Sequence, residues 1–361
     1  MSIGEPRHAF PDWVGGLISD HAPEFGKYPP NEGTPELLNA IAGWVGRRFD
    51  VPLALDRQIM ALNGTREGLF NAALALCPET TRGGKEPVVL MPNPFYQVYA
   101  MAALAVRAAP VYVPATAATG FLPDYFSLPP DLLDRVEIAY LCSPSNPQGA
   151  VAGREYWAAL IELAEMHDFR IFADECYSEI YRDTPPVGAL QVASEMGASP
   201  ERVLIFHSLS KRSNLPGLRS GFVAGGPECI ARIKQLRTYA GAPLPLPLQR
   251  AAERLWADEA HVEQNRAQYR EKYVMADEVF NGAQGYAPPQ AGFFLWLPVE
   301  DGEAAALKLW KETGVRALPG AYLGRDVGGQ NPGQGYIRAG MVASKDELQS
   351  GLIRLRNCLY G

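Results

Sequence analysis

The chain lacks the features that would place it outside the cell or in a disulfide-bonded class. Its 361 residues include only five cysteines, and no two have the CxxC spacing of a metal or redox pair. An odd count in a long chain does not suit a disulfide scaffold. The first thirteen residues carry Glu5, Pro6 and Asp12 where a secretory signal needs an apolar run. We therefore expect a reducing, cytoplasmic location.

Lysine and arginine runs are also missing. The chain has 33 Lys+Arg against 40 Asp+Glu, a net charge of −7, whereas a nucleic-acid binder usually carries a basic face. The charge-free stretch 88–106 contains two prolines and an asparagine, so it does not suit a membrane span. GxGxxG, GxxxxGK[ST], HExxH and GxSxG are absent, and the five histidines lack metal-ligand spacing. We expect no nucleic acid, membrane or metal partner.

What the chain does have is an alternation of short apolar runs with amphipathic segments. Its 47% apolar and 20% charged residues are ordinary for a globular protein. The runs are short, apolar and bounded by Gly, Pro or charges, which predicts buried strands: 88–91, 111–113, 136–141, 169–173, 203–206 and 221–224. Helical patterns cover 35–48, 66–76, 95–107 and 154–168. Strands alternating with helices predict an α/β fold around a mostly parallel sheet.

The C-terminal third has a different pattern. Residues of about 246–280 form a long charged stretch that predicts one extended helix, ended by Asn281-Gly282. Beyond it we expect strands near 293–297 and 335–339 and a last helix near 344–358. We predict a large cofactor-binding domain of residues 28–248 and a small α+β domain of residues 1–27 and 249–361. A long helix over about 246–280 links the two.

Lys211 is the first candidate for chemistry, because it follows the strand 203–206, and ligands of parallel sheets bind at the carboxyl ends of strands. A lysine kept neutral at pH 7 can form an imine. Its ordinary pKa of about 10.4 makes that cost on the order of 4–5 kcal/mol, which burial and the nearby Arg212 and Arg219 could supply. The alternative is a solvated loop lysine.

At four other positions the residues could either bind a ligand or serve only the local structure. Asp174 could pair with a protonated ring nitrogen or cap a helix, and Asn146 could bind a ligand or form a turn. Tyr96 could stack on a flat ring or pack in the core. The amides at Gly64-Thr65 could hold an anion at a helix start or serve as a cap. Together with Lys211, this set suits pyridoxal phosphate (PLP).

The segment SLSKRSNLPGLRSGF, residues 208–222, resembles the cofactor segment of the fold-type I, class I/II aminotransferases. The resemblance extends over nearly the whole chain. It implies an aspartate aminotransferase-like fold, PLP as the cofactor, and Lys211 as the lysine that binds it covalently and acts as the base. It also implies a homodimer with a shared active site.

The resemblance assigns roles to further residues. Asp174 would hold the ring nitrogen of the cofactor, and Asn146 and Tyr177 its ring oxygen. Tyr96 would stack on the ring, and Arg338 would bind the substrate α-carboxylate beside Asn146 and Gly4. The residues placed around the phosphate are Gly64, Thr65, Arg66, Ser208, Arg219 and, from the partner subunit, Tyr28.

Together with SLSKRSNLPGLRSGF, the segments NGTREGLF, MPNPFYQVY, CSPSNPQGA and DECYSEIY resemble the branch of the family that acts on N-succinyldiaminopimelate. This implies amino transfer between glutamate and N-succinyl-2-amino-6-oxopimelate in lysine biosynthesis. The extra carboxylates of that substrate need cationic partners, for which we consider Arg7, Lys27, Arg66 and Arg212. Alternatives on the same fold are an aminotransferase for another dicarboxylic or aromatic amino acid, or a β-lyase.

Two other classes have little support in the sequence. Ser208 and Lys211 satisfy the SxxK pattern of acylating serine enzymes, but the SDN and KTG elements of that class are missing. A PLP-fold ligand sensor on a transcription regulator would carry an N-terminal DNA-binding helical module. We find none before Tyr28.

Overall fold

The computed structural model of the chain describes residues 1–81 and 83–361. Its strands are β1 Ile59–Leu62, β2 Val88–Asn93, β3 Ala109–Pro114, β4 Val136–Cys142, β5 Arg170–Asp174, β6 Val203–Ser208, β7 Gly221–Ala224, β8 Phe294–Pro298, β9 Leu318–Pro319 and β10 Tyr336–Gly340. Its α-helices are α1 Trp13–Asp20, α2 Pro35–Phe49, α3 Thr65–Leu76, α4 Gln97–Ala105, α5 Pro130–Leu133, α6 Arg154–His167, α7 Ala189–Met196, α8 Leu209–Arg212, α9 Pro227–Ala240, α10 Leu246–Ala257, α11 Ala260–Val279, α12 Gly302–Thr313 and α13 Lys345–Tyr360.

Seven strands form the large sheet in the order β1-β7-β6-β5-β4-β2-β3. β7 runs antiparallel to both of its neighbours, and the other pairs are parallel. The α/β prediction with a mostly parallel sheet is therefore confirmed. Helices pack on both faces, so the central strands β4–β6 are almost wholly buried between two apolar clusters. The strand β1, a four-residue strand at the edge of the sheet, was not predicted from the sequence.

A second, antiparallel sheet has the order β8-β10-β9. It shares a separate apolar cluster with helices α11, α12 and α13. The strands expected near 293–297 and 335–339 and the last helix are confirmed, whereas α12 and the two-residue β9 were missed. The division into domains at residues 28 and 248 stays a prediction. None of the described helices is long and apolar enough to cross a membrane.

The single helix expected over 246–280 is wrong, because the chain breaks between α10 and α11. Asp258 has an extended backbone, and its carboxylate accepts from the amide of Ala260 at 2.8 Å. The Arg212 guanidinium donates to the carbonyl oxygens of Leu255 at 2.7 Å and Asp258 at 3.3 Å. These are carbonyls that a helix end leaves without intrahelical partners. A side chain distant in sequence thus stabilises the break, which local composition could not reveal.

Arg212 is also enclosed by aromatic rings, with its guanidinium carbon 5.6 Å from the Trp44 ring and 5.1 Å from the Trp256 ring. We predict that Arg212→Met lowers the free energy of unfolding by about 2–4 kcal/mol, because buried carbonyls lose their donor. Urea unfolding measures the change. Arg47→Met is the matched control: Arg47 donates to the Trp256 carbonyl but is 54% exposed, so its replacement should cost under about 1 kcal/mol. Equal losses would contradict this account of the break.

Candidate active site

The carboxyl ends of β4, β5 and β6, the start of α3 and the strand β10 enclose a cavity of about 760 Å³. It contains most of the residues singled out from the sequence. The predicted residues that line it are Gly4, Thr65, Arg66, Tyr96, Asn146, Asp174, Tyr177, Ser208, Lys211, Arg219 and Arg338. Gly64 lies against the Arg219 guanidinium at its edge. Tyr28 lies outside the cavity and is fully exposed.

Asp174 ends β5 and is only 5% exposed. Its Oδ2 accepts a hydrogen bond of 2.7 Å from the Tyr99 hydroxyl, on the first turns of α4. Burial raises the pKa of Asp174, since the carboxylate has lost its hydration. A cationic N–H placed in the cavity would compensate this charge, so the site favours a protonated ring nitrogen.

Lys211 lies on the short helix α8, which follows β6 directly. Its Nζ donates to the main-chain oxygen of Gly4 at 2.5 Å, and it stands 5.3 Å from the centre of the Phe293 ring. Burial is the main cause that lowers the pKa of Lys211 to about 8. Lys211 is half-buried and lines the cavity, which favours the imine-forming lysine over the solvated loop lysine. The lowered pKa brings the neutral amine closer to physiological pH, as an imine-forming base requires.

The start of α3 forms an anion-binding end of the cavity. Gly64 is the N-cap in a left-handed conformation, φ 83°, and has no side chain to cap the first amides. A Cβ at Gly64 would overlap the Arg219 guanidinium, so glycine is what lets the cation approach the helix start. The hydroxyls of Thr65 and Ser208 line the same cavity. Free amides, a cation and hydroxyls suit a phosphate.

Arg338, on β10, forms the cationic group at the small sheet. Its Nη1 donates to Asn146 Oδ1 at 3.0 Å and its Nη2 to the main-chain oxygen of Ser2 at 2.9 Å. The guanidinium lies 4.2 Å over the Phe294 ring, and its buried Nε has no partner among the described residues. Burial lowers the pKa of Arg338. A guanidinium with a free donor suits a carboxylate, which it can bind through two parallel bonds.

Two tyrosines form aromatic walls. The hydroxyl of Tyr96 accepts from Arg66 Nε at 3.0 Å. Tyr177 packs with its ring centre 5.3 Å from that of Phe293 and 6.0 Å from that of Phe294. Burial raises the pKa of both phenols, so both keep their protons. The roles assigned to these tyrosines stay predictions.

Tyr99 and Cys176 are among the residues of the site that were not predicted from the sequence. Tyr99 holds Asp174, and its position one turn after Tyr96 on a predicted helix was the available signal. Cys176 lines the cavity with its sulfur 3.0 Å from Thr65 Oγ1 and 3.8 Å from Ser208 Oγ. It lies two residues after Asp174, the spacing that puts side chains of extended backbone on one face.

Of the four cations considered for extra carboxylates, the structure places only Arg66 in this cavity. Arg212 is wrong for that role, because it is 2% exposed and bound to α10 and to Glu259. Arg7 stands 3.6 Å from Glu347 and lines a different cavity. Lys27 is exposed outside the cavity.

The cavity fits the cofactor expected from the resemblance. PLP presents a phosphate, a flat ring with a basic nitrogen, and an aldehyde. The α3 start and Arg219 suit the phosphate, Asp174 the ring nitrogen, and Lys211 the aldehyde. The positive-φ Gly64, whose absent Cβ leaves room for Arg219, is the observation that supports the phosphate position most directly. No group of three or more metal-ligating side chains occurs within residues 1–81 and 83–361.

Comparisons with known proteins agree with this geometry. A family model described as aminotransferase class I and II matches residues 1–355. The LL-diaminopimelate aminotransferase of Dehalococcoides mccartyi is 31% identical over 367 residues, 99% of this chain and 90% of that protein. A transaminase of Streptomyces rimosus named for 4-dedimethylamino-4-oxo-anhydrotetracycline is also 31% identical, over 98% of this chain and 92% of that protein.

Solved structures give the same fold. An aminotransferase from Neisseria meningitidis superposes with a TM-score of 0.95 at 37% identity, covering 100% of this chain and 91% of that chain. A probable N-succinyldiaminopimelate aminotransferase from Thermus thermophilus superposes with a TM-score of 0.88 at 27% identity, covering 99% and 94%. The predicted aspartate aminotransferase-like fold is thereby confirmed.

We predict that Gly64→Ala weakens the affinity for pyridoxal phosphate by at least about tenfold, or 1.4 kcal/mol. The added Cβ displaces Arg219 and occupies a left-handed backbone position. Fluorescence titration of the cofactor-free protein measures the dissociation constants of pyridoxal phosphate and of pyridoxal. The affinity for pyridoxal, which lacks the phosphate, should hardly change.

Gly217→Ala is the control, because Gly217 lies two residues before Arg219 and a Cβ there meets no atom within 4 Å. It should bind both ligands as the unmodified protein does. An equal loss for pyridoxal and its phosphate in Gly64→Ala would contradict the phosphate site at the start of α3.

Proposed function

Since the chain belongs to the class I and II aminotransferases, we propose that it transfers an amino group between glutamate and N-succinyl-2-amino-6-oxopimelate. This step belongs to lysine biosynthesis. The family is PLP-dependent, and the observation that carries the proposal is a lysine of lowered pKa in one cavity with a buried aspartate and a buried arginine. The resemblance of five segments to the N-succinyldiaminopimelate branch supports the choice of substrate.

The proposed roles follow from position and charge. Bound PLP supplies an electron-accepting ring. Asp174 keeps the proton on the ring nitrogen, because its buried carboxylate lines the cavity and is stabilised by a cationic N–H placed there. Lys211 moves the proton at the substrate Cα, since its amine is partly neutral. Arg338 binds the α-carboxylate, and its bond to Asn146 fixes the plane of the guanidinium.

Arg66 is the residue we propose for the distal acid groups of the substrate. It follows the anion-binding start of α3, and its Nε is held by the Tyr96 hydroxyl. Its two terminal nitrogens make no hydrogen bond within residues 1–81 and 83–361, so they are open to a carboxylate. Phosphate contact and carboxylate contact are both compatible with this position.

A second candidate substrate is diaminopimelate without the succinyl group. The names of several relatives at 28–32% identity favour it, since they are LL-diaminopimelate aminotransferases. The two substrates share the reacting α-amino acid end and differ in the charge at the far end. A direct comparison of acceptors therefore separates them.

We also propose that the protein works as a homodimer in which Tyr28 reaches the phosphate of the partner subunit. In the single chain the Tyr28 side chain is fully exposed and lies outside the cavity. A large aromatic side chain that is fully exposed in its own chain suits a position covered by a second copy. This would add a hydroxyl to the phosphate end of the site.

We predict that Arg66→Gln raises KM for N-succinyldiaminopimelate at least about tenfold, the loss expected for one charge-assisted hydrogen bond. A monocarboxylic amino acid such as 2-aminohexanoate should keep its KM, because it has no distal acid. Steady-state kinetics with saturating PLP measures both. Lys211→Ala supplies the inactive baseline.

Arg7→Gln is the matched control for Arg66→Gln, since Arg7 was an equal candidate from the sequence but lies outside this cavity. It should leave both KM values unchanged. Equal effects of Arg66→Gln on the two amino acids would contradict a role in distal recognition. Normal turnover of any substrate by Lys211→Ala would contradict the proposed reaction itself.

For the dimer, we predict the outcome of mixing the Tyr28→Phe protein with the Lys211→Ala protein. The mixture should contain active sites that bind PLP with high affinity, which neither variant has alone. In a mixed dimer one site combines the lysine of one subunit with the tyrosine of the other. Activity at limiting PLP after co-refolding measures this. A mixture no more active than its components, or a protein that sediments as a monomer, would contradict the shared site.

A further inference from the structure

The N-terminal strap, residues 1–10, crosses the cavity and contributes main-chain acceptors to two of its cations. The carbonyl oxygen of Ser2 accepts from Arg338 at 2.9 Å, and that of Gly4 accepts from Lys211 at 2.5 Å. The position of this strap therefore sets the surroundings of the two groups to which we assign proton transfer and carboxylate binding.

Further along, the strap is anchored by His8 to a buried lysine. Lys272 is 3% exposed, and its Nζ contacts His8 Nε2 at 2.6 Å, the Met341 carbonyl at 3.0 Å and the Ala343 carbonyl at 2.6 Å. An ammonium has three N–H donors and no acceptor. The three acceptors around Nζ match these donors, which assigns His8 Nε2 as an acceptor and makes the imidazole neutral.

The other ring nitrogen of His8 completes the anchor. His8 Nδ1 stands 2.8 Å from Asn265 Oδ1 and carries the ring proton, which it donates to that oxygen. The amide nitrogen of the same Asn265 lies 3.4 Å from the main-chain oxygen of Lys211. Asn214 donates to Asn265 Oδ1 at 3.1 Å and to the Ala9 carbonyl at 3.3 Å. The buried side-chain amide of Asn265 thus joins the strap to the segment that carries Lys211.

Protonation of His8 is incompatible with this arrangement. A proton on Nε2 would point at the Lys272 ammonium, placing two positive charges 2.6 Å apart. Within residues 1–81 and 83–361, the side chains in contact with His8 are Asn265, Tyr269 and Lys272 of α11, and none of them is an acid. The carbonyls of Met341 and Ala343, after β10, contact the Lys272 ammonium. On the strap itself, Arg7 pairs with Glu347, and the charge of Glu5 acts on Lys211.

We propose that His8, Asn265 and Lys272 are positioning residues of the active site, which hold the strap against Lys211 and Arg338 only while the His8 imidazole is neutral. The inference rests on the proposed roles of Lys211 and Arg338. Burial, with Lys272 contributing, lowers the pKa of His8 below its ordinary 6.5. The docked strap is therefore fully stable above about pH 6.5 and loses stability as the pH falls below it.

Hydrogen exchange of the PLP-loaded protein, without substrate, tests the anchor directly. The reporters are the strap amides and the amide of Gly340, which donates to the Met1 carbonyl at 2.7 Å. His8→Gln is the comparison at each pH, because glutamine can accept from Lys272 and donate to Asn265 but does not titrate. We expect the ratio of exchange rates, unmodified protein over His8→Gln, to rise at least about fivefold from pH 7.5 to pH 5.5.

A ratio that stays constant over this pH range would overturn the inference. If His8→Gln does not fold, the test uses the unmodified protein only. Its strap amides are compared at each pH with the same amides in a free peptide of residues 1–10, which gives their intrinsic exchange rates. Relative to that peptide, exchange of the strap must still accelerate below about pH 6.5. Acceleration supports the anchor, and its absence refutes it.

Steady-state kinetics tests whether the His8 anchor affects the active site. KM for glutamate should rise in the unmodified protein over the same acid range while His8→Gln stays flat, because a loose strap no longer orients Arg338. A smaller change in kcat is expected. Acid-dependent exchange without this KM difference would overturn the positioning role. A protein with no transamination but with acid-dependent exchange would refute the roles of Lys211 and Arg338 and leave the anchor intact.

Discussion

The convergence of β4, β5 and β6 at one edge of the large sheet is the constraint on which the site depends. Parallel strands deliver their carboxyl ends to the same edge, and each of these strands brings a polar residue of the cavity to within four residues of its end. Asn146 follows β4, Asp174 ends β5 and Lys211 follows β6. Apolar clusters on both faces bury the strands, so these side chains are held on a rigid frame.

The charged residues of the cavity determine which ligands it can bind. The chain as a whole is acidic, with a net charge of −7, yet the cavity gathers the four cations Arg66, Lys211, Arg219 and Arg338 near the buried Asp174. A cavity of this sign attracts ligands with phosphate and carboxylate groups. The same burial that raises the pKa of Asp174 lowers that of Lys211. One environment therefore shifts both pKa values in the directions that the proposed amino transfer needs.

The sequence predicted those parts of the molecule that local patterns determine. The helical pattern over 35–48 corresponds to α2, which is capped by Thr34 Oγ1 accepting from the Leu37 amide at 3.3 Å. Polar residues after buried strands located Asp174, Asn146 and Lys211. The break before α11 was not predictable, because Arg212 stabilises it from another part of the chain. The support of Asp174 by Tyr99 is likewise a tertiary contact: the position of Tyr99 one turn after Tyr96 indicated its face of the helix but not its partner.

The central claim is that Lys211, Asp174 and Arg338 carry out amino transfer on bound PLP. Its most direct test is the visible absorption spectrum of the PLP-loaded protein before and after addition of glutamate without an acceptor. The account predicts a yellow protein whose band moves to shorter wavelength, and its return when the succinylated oxo acid is added. A colourless protein that cannot be reconstituted with PLP, or a yellow one that no amino acid changes, would contradict it.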